Sequence, residues 1–206
     1  MDLALARWFG EPGGFPLRDH WLFSGMLHRG ARRVAWTLQL ALLLAIWWPL
    51  GVMRLLTRRE RVHLLVATLA SVLIVWLLKS RSETSCPWDL KEFGGVAAYV
   101  SHWSWGVLDG GRGECFPGGH ASAAFAFLSG YFWLREKAPR AARLWLAITL
   151  VAGCTIGLAQ QVRGAHYMSH TLWTAWLCWV IAGSCYLLFE QTRLRTLFAK
   201  SGGAGP

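Results

Sequence analysis

Acidic residues are scarce in this sequence: 11 Asp and Glu stand against 21 Lys and Arg in 206 residues. It also lacks cysteines at metal-ligand spacing, internal repeats, and low-complexity stretches other than the Gly-rich end at 202–206. Each shortage narrows the field. Without spaced cysteine pairs there is no cysteine-held metal framework, and Cys154, Cys178 and Cys185 sit in apolar runs where cysteine is a small hydrophobe. The first thirty residues hold Asp2, Arg7, Glu11, Arg18 and Asp19 and no compact apolar segment, so no cleavable secretory signal is read there. The positive excess forms no stripe along one helix, which argues against nucleic acid as a partner. What the sequence does have is apolar bulk, 54% hydrophobic with 14 tryptophans. A single membrane domain is the class this implies.

Hydropathy predicts an all-α, polytopic membrane helix bundle with about five spans, over residues 34–56, 63–78, 120–134, 144–158 and 170–189. Residues 1–33 are too polar to cross a bilayer and read as an interfacial N-terminal region. The bundle then occupies 34–190, and a cytoplasmic tail 191–206. Basic clusters at Arg54/Arg58/Arg59/Arg61, Arg135/Lys137/Arg140/Arg143 and Arg193/Arg195/Lys200 fall on one side of this alternation, which the positive-inside rule assigns to the cytoplasm. The long loop 80–119 and the polar break 159–169 then share the opposite, periplasmic side. Five spans leave Arg29, Arg32 and Arg33 on that side too, against the rule. Either anionic lipid shields them, or a sixth span precedes residue 1. Within the loop, 96–107 reads as a short interfacial helix. Cys86 and Cys115 share that loop, and a periplasmic location permits a disulfide that the sequence does not decide.

Three polar islands converge on the predicted periplasmic face. Lys79 closes a span, Pro117-Gly118-Gly119-His120 opens one, and Arg163-Gly164-Ala165-His166 with Ser169-His170 lies between two more. Ionisable groups at span ends facing one cavity are candidate functional groups. The set suits phosphoryl transfer, which needs fixed positive donors, an in-line nucleophile and an acid for the leaving oxygen. Lys79 and Arg163 supply charge, Gly118 and Gly119 offer backbone N–H groups at a helix start, and two histidines divide the nucleophile and acid roles.

These islands resemble the type-2 phosphatidic acid phosphatase superfamily, whose members carry K-x6-R-P, P-S-G-H and S-R-x5-H-x3-D. Lys79 with Cys86-Pro87 resembles the first motif with Cys for Arg, 117–120 the second with Gly for Ser, and His166 with His170 the third with His for Asp. Gln160 stands where the third motif has its arginine, and Arg163 follows one helical turn later. The resemblance implies a divergent bacterial branch: a metal-independent phosphatase of the inner membrane with its active site at the periplasmic ends of the helices. In that reading His166 attacks a lipid phosphate monoester or diphosphate to form a phosphohistidine, and His120 protonates the leaving group. His170, or a carboxylate such as Asp89 or Asp109, has to orient His166. No cofactor is implied, and the partners are the lipid phosphate substrate and membrane lipid. Competing readings are a metal site on His120, His166 and His170, a non-catalytic protein that binds anionic lipid, and a lipid phosphotransferase.

Overall fold

The computed structural model describes residues 1–104 and 106–202, with side chains described through residue 192. Its helices are α1 (Asp2–Ala6), α2 (Ala31–Leu44), α3 (Arg58–Lys79), α4 (Ser122–Phe125), α5 (Ser129–Leu134), α6 (Pro139–Val162) and α7 (Met168–Gly202). The described residues contain no strand, only isolated bridges, and the chain is an all-helical bundle as expected.

Three helices are long and apolar enough to cross a membrane: Arg58–Lys79, Pro139–Val162 and Met168–Thr192. Their outward faces carry large apolar side chains such as Leu73, Trp76, Ile148, Val151, Trp176 and Leu187, more than half exposed. In water such a surface would aggregate; in lipid it is the solvated face. Local chemistry sets the ends. Thr57 and Glu60 form a reciprocal capping box at the start of α3, with Thr57 N donating to Glu60 Oε2 at 2.7 Å and Glu60 N to Thr57 Oγ1 at 3.3 Å. Pro139 occupies the first turn of α6, where its missing N–H costs nothing.

The expected span 120–134 is not a full span. Ser122–Leu134 covers about 20 Å at 1.5 Å per residue, against a hydrocarbon core of about 30 Å, and a short 3-10 turn at Ala126–Leu128 interrupts it. It forms the centre of the bundle instead, with Phe125, Leu128 and Leu134 fully buried. Close approach there depends on a small residue: a Cβ on Gly153 of α6 would stand 2.2 Å from the Phe125 ring. Thr68 of α3 and Ser129 of α5 share a buried hydroxyl hydrogen bond at 2.8 Å.

The expected span 34–56 also moves. A π-helical stretch (Leu22–Gly30) runs directly into α2, which stops at Leu44; Pro49 and Gly51, at φ +50°, hold the following segment in a turn and a short 3-10 helix. Residues 96–107, expected as an interfacial helix, are irregular, because Gly106 adopts φ +74° and Ala97 pairs back onto Leu90; Trp105 lies outside the described residues. Helix α7 continues through Gly202 into the region expected as a tail, and 203–206 lie outside the described residues.

The two ends of the bundle differ in kind. At one end short basic turns join the helices, tied by Lys137 to Glu60 and by Tyr186 donating to Glu136 at 3.0 Å. At the other, the loop 80–119 and residues 1–20 fold over the helix ends, sealing a second core of Ala6, Phe15, Leu90, Phe93, Ala97 and Tyr167.

Candidate active site

Helix direction alone brings the polar islands together. Lys79 ends α3, Gly119 and His120 precede α4, Arg163 ends α6, and His166 and His170 flank the start of α7. The α6–α7 turn is a Schellman motif: Gly164 N donates to Gln161 O at 2.9 Å and Ala165 N to Gln160 O at 2.8 Å, with Gly164 at φ +71°. A Cβ at Gly164 would also meet the Phe15 ring at 2.3 Å, so only glycine fits here. This turn delivers His166 into the interior, 4% exposed.

A chain of imidazoles crosses the site. Ring centres stand 4.0 Å apart for His28 and His120, 6.0 Å for His120 and His166, 5.8 Å for His166 and His170, and 5.8 Å for His170 and His102. His120 and His166 lie in connections outside the helices. Burial, then the neighbouring His166, His28, Lys79 and Arg163, push the His120 imidazole down to about 2. Burial also lowers His166 well below the usual histidine value, helped by His170, Lys79 and His28 and opposed by the Cys115 carbonyl. Both rings are therefore neutral near pH 7. An imidazole must be neutral to act as a nucleophile, and an incoming phosphate would favour protonating its partner.

Cys86 and Cys115 form a disulfide, the alternative the sequence left open. It ties the start of the loop to the residue before Phe116, and Cys115 Sγ lies 3.5 Å from His166 Nδ1 and 3.2 Å from Ala165 O. With no thiol proton left, the sulfur cannot donate to either. Its contact occupies the Nδ1 edge of His166 and leaves Nε2 as the other ring nitrogen. Among the described residues the metal-type group whose ligand atoms converge within 4.8 Å is Cys86, Cys115 and His166, but the two sulfurs are bonded to each other and are not thiolate ligands. The ligand set of the alternative metal reading, His120, His166 and His170, is not that group.

Hydrogen bonds already made bear on several expected roles. Gly118 N donates to His170 O at 3.2 Å, a bond with which a phosphate would have to compete. Gly119 lines a small cavity with His28, Arg32 and His120, and a Cβ there would press on Lys79 Cδ at 3.0 Å. Lys79 donates through Nζ to the Glu114 carbonyl. His170 makes no hydrogen bond to His166: both its ring nitrogens are buried without a partner among the described residues, and Phe116, Tyr167 and His102 box the ring. Nor does either aspartate reach His166. Asp109 accepts from Ser85 N at 2.6 Å, Ser85 Oγ at 2.8 Å and Gly111 N at 2.9 Å, while Asp89 accepts from Trp88 Nε1 at 3.1 Å. The carboxylate that does reach α7 is Asp2, which accepts from Ser169 N at 3.1 Å and from Ser169 Oγ.

Arg163 is buried and braced. Its Nε donates to Arg18 O at 2.7 Å, and its Nη1 to Gln160 Oε1 at 3.2 Å and to His28 Nδ1 at 3.1 Å, so Nη2 is the donor it can turn to an anion. A guanidinium only donates, so His28 Nδ1 is the acceptor and the imidazole proton sits on Nε2. The 3.5 Å approach of His28 Nδ1 to Gln160 Oε1 is then two acceptors sharing one guanidinium donor. His28 is the site residue that sequence reasoning missed. It has no motif around it and arrives from the interfacial region; the one hint was a histidine next to Arg29 in an otherwise apolar stretch.

Residues 60–194, more than half of the chain, match the family model of the PAP2 superfamily, and the protein belongs to that superfamily. Its members are phosphatases acting on phosphate esters. The matched segment contains Lys79, Gly119, His120, Arg163 and His166, but not His28. No curated protein and no solved structure matches the chain.

Proposed function

We propose that the protein is a metal-independent phosphatase of a bacterial inner membrane that hydrolyses a lipid phosphate ester at the periplasmic ends of its helices. The observation that carries this reading is the pair His120 and His166, two neutral imidazoles 6.0 Å apart, half-buried and buried respectively, with Lys79 and Arg163 beside them. His166 Nε2 attacks phosphorus as the bond to the leaving oxygen breaks. The electron pair stays on that oxygen, and His120 passes to it the proton that it takes up from the incoming phosphate monoanion. Water then cleaves the N–P bond of the phosphohistidine, with His120 taking the water proton and returning it to the departing phosphate, so that both rings are neutral again. Lys79 and Nη2 of Arg163 hold the charge that spreads over the equatorial oxygens.

The lipid character rests on the apolar outer surface of the bundle and on a site at its membrane-facing end. The periplasmic orientation rests on the basic turns collected at the opposite end. The test is phosphate release from phosphatidic acid and from lipid diphosphates by purified protein in detergent, with and without chelator. An alkaline quench after incubation with labelled substrate traps acid-labile phosphohistidine. Turnover that survives chelation but disappears in His166→Ala is expected; label retained in His166→Ala, or activity lost on chelation, overturns the mechanism.

A further inference from the structure

The site continues from His120 to His28, whose ring centres stand 4.0 Å apart. A cavity of about 130 Å³ is lined there by His28, Arg32, Gly119 and His120. Its remaining wall is Ala31, Ala123 and Ile156, and these same three residues line a second, far larger apolar cavity of about 1210 Å³ that runs along α2. The sequence of environments along the molecule is thus nucleophile, acid, cationic chamber, hydrocarbon groove.

This order constrains the leaving group. If His166 attacks and His120 protonates the departing oxygen, the atoms next to that oxygen on the leaving side enter the chamber of His28 and Arg32. His28 and Arg32 stand four residues apart and share one face of the winding, whereas Arg29 and Arg33 do not line the cavity. His28 presents Nε2–H, because Arg163 holds its Nδ1 as acceptor at 3.1 Å. A donor imidazole and a guanidinium are poorly matched to the glycerol carbons of a simple phosphate monoester. They are matched to a second phosphate.

We infer that the chamber formed by His28 and Arg32 is a leaving-phosphate subsite, which makes the substrate a lipid diphosphate whose hydrocarbon lies in the groove along α2. The inference rests on the proposed phosphatase reading. The reaction consumes one water: the bond between the terminal phosphorus and the bridging oxygen breaks, that oxygen departs on the proximal phosphate with the proton from His120, and lipid monophosphate and inorganic phosphate are the products. Neither residue belongs to the motifs shared with the superfamily, so the subsite is a property of this chain's N-terminal region.

The experiment compares dodecyl diphosphate with dodecyl phosphate in detergent micelles. The wild-type protein is expected to show a higher kcat/KM on the diphosphate, and Arg32→Gln to lower the diphosphate-to-monophosphate ratio by about tenfold, the effect of one charge-assisted contact. His28→Ala should lower that ratio similarly. His28→Gln, whose amide can place an N–H near the Nε2 position, should restore most of it, which a purely structural role of His28 would not predict. A wild-type ratio at or below one, or equal losses on both substrates in Arg32→Gln, overturns the subsite. If neither compound is turned over, the phosphatase reading falls, and binding of dodecyl methylenebisphosphonate against dodecyl phosphonate judges the subsite alone. A bisphosphonate preference that needs Arg32 supports it, and no preference overturns it.

Discussion

The two halves of the site are built differently. His120 and His166 sit in turns whose backbone is fixed by other parts of the chain, through the Schellman turn at Gly164 and the disulfide at Cys115. His166 is buried, and both are held neutral. His28 and Arg32 instead ride on the π-helical stretch and the start of α2, half-buried and exposed respectively. Groups that must carry a bond or a proton need fixed geometry, while groups that only select a leaving group tolerate a looser mount. The π-helical winding fits such a role, since this geometry is rare and concentrates at functional positions.

The sharpest break of this comparison is kinetic. His166→Ala should abolish turnover, and His120→Ala should lower kcat by about 10²- to 10⁴-fold, the range for loss of a general acid. His28→Ala should cost far less, about tenfold on its preferred substrate. Steady-state kinetics on one substrate decide it. A loss in His28→Ala as large as that in His120→Ala would erase the distinction between the halves.

Loss of the disulfide should have the next largest effect. Closing a loop across a separation of 29 residues limits the unfolded chain, so replacing both Cys86 and Cys115 by serine should reduce stability by about 3 kcal/mol. The half that holds the proposed nucleophile should feel this most, because Cys115 touches His166. Thermal melts in detergent with and without a reducing agent measure the loss, and reduction of the wild-type protein should reproduce the double variant.

Acid should act on the same half. The folded values of His120 and His166 lie below the ordinary histidine value, so below pH about 6.5 the unfolded chain binds protons that the folded chain refuses. Stability from these groups is therefore complete above that pH and falls as pH drops through it, by about 1.4 kcal/mol per pH unit for each ring. Melting temperatures from pH 7 to pH 5 should decline, and His120→Asn should flatten the slope. A slope unchanged in that variant would mean that His120 is not held neutral.

Sequence alone singles out Lys79, His120 and His166, since each stands at the edge of an apolar run, and helix alternation then carries them to one face. It is nearly silent on the other half. The contact of His28 with Arg163 spans 135 positions, and no local pattern announces a pairing of that range. Hydropathy also misplaced the first helix, because it counts apolar residues and not the Pro49–Gly51 break. The role of His170 is not legible either: spacing puts a third polar group beside His166, and its ring packs among Phe116, Tyr167 and His102 with no hydrogen-bond partner among the described residues. Gly118 is similar, for its motif position reads as a phosphate donor and its N–H serves the start of α7.

The smallest expected effect tests where the missing carboxylate went. Asp2 caps α7 from the far end of the chain, accepting from the backbone and hydroxyl of Ser169, one residue before His170. A side-chain cap on a helix start contributes about 1 kcal/mol, and a carboxylate there also complements the helix dipole. Asp2→Ala should lower stability by about that amount and loosen the turn that presents His166, reducing kcat modestly while KM changes little. Asp2→Asn keeps the acceptor for Ser169 N but loses the charge and the second acceptor, so it should fall between. If Asp2 instead acted directly on an imidazole, Asp2→Asn would shift the pH profile of kcat, whereas a cap leaves that profile in place.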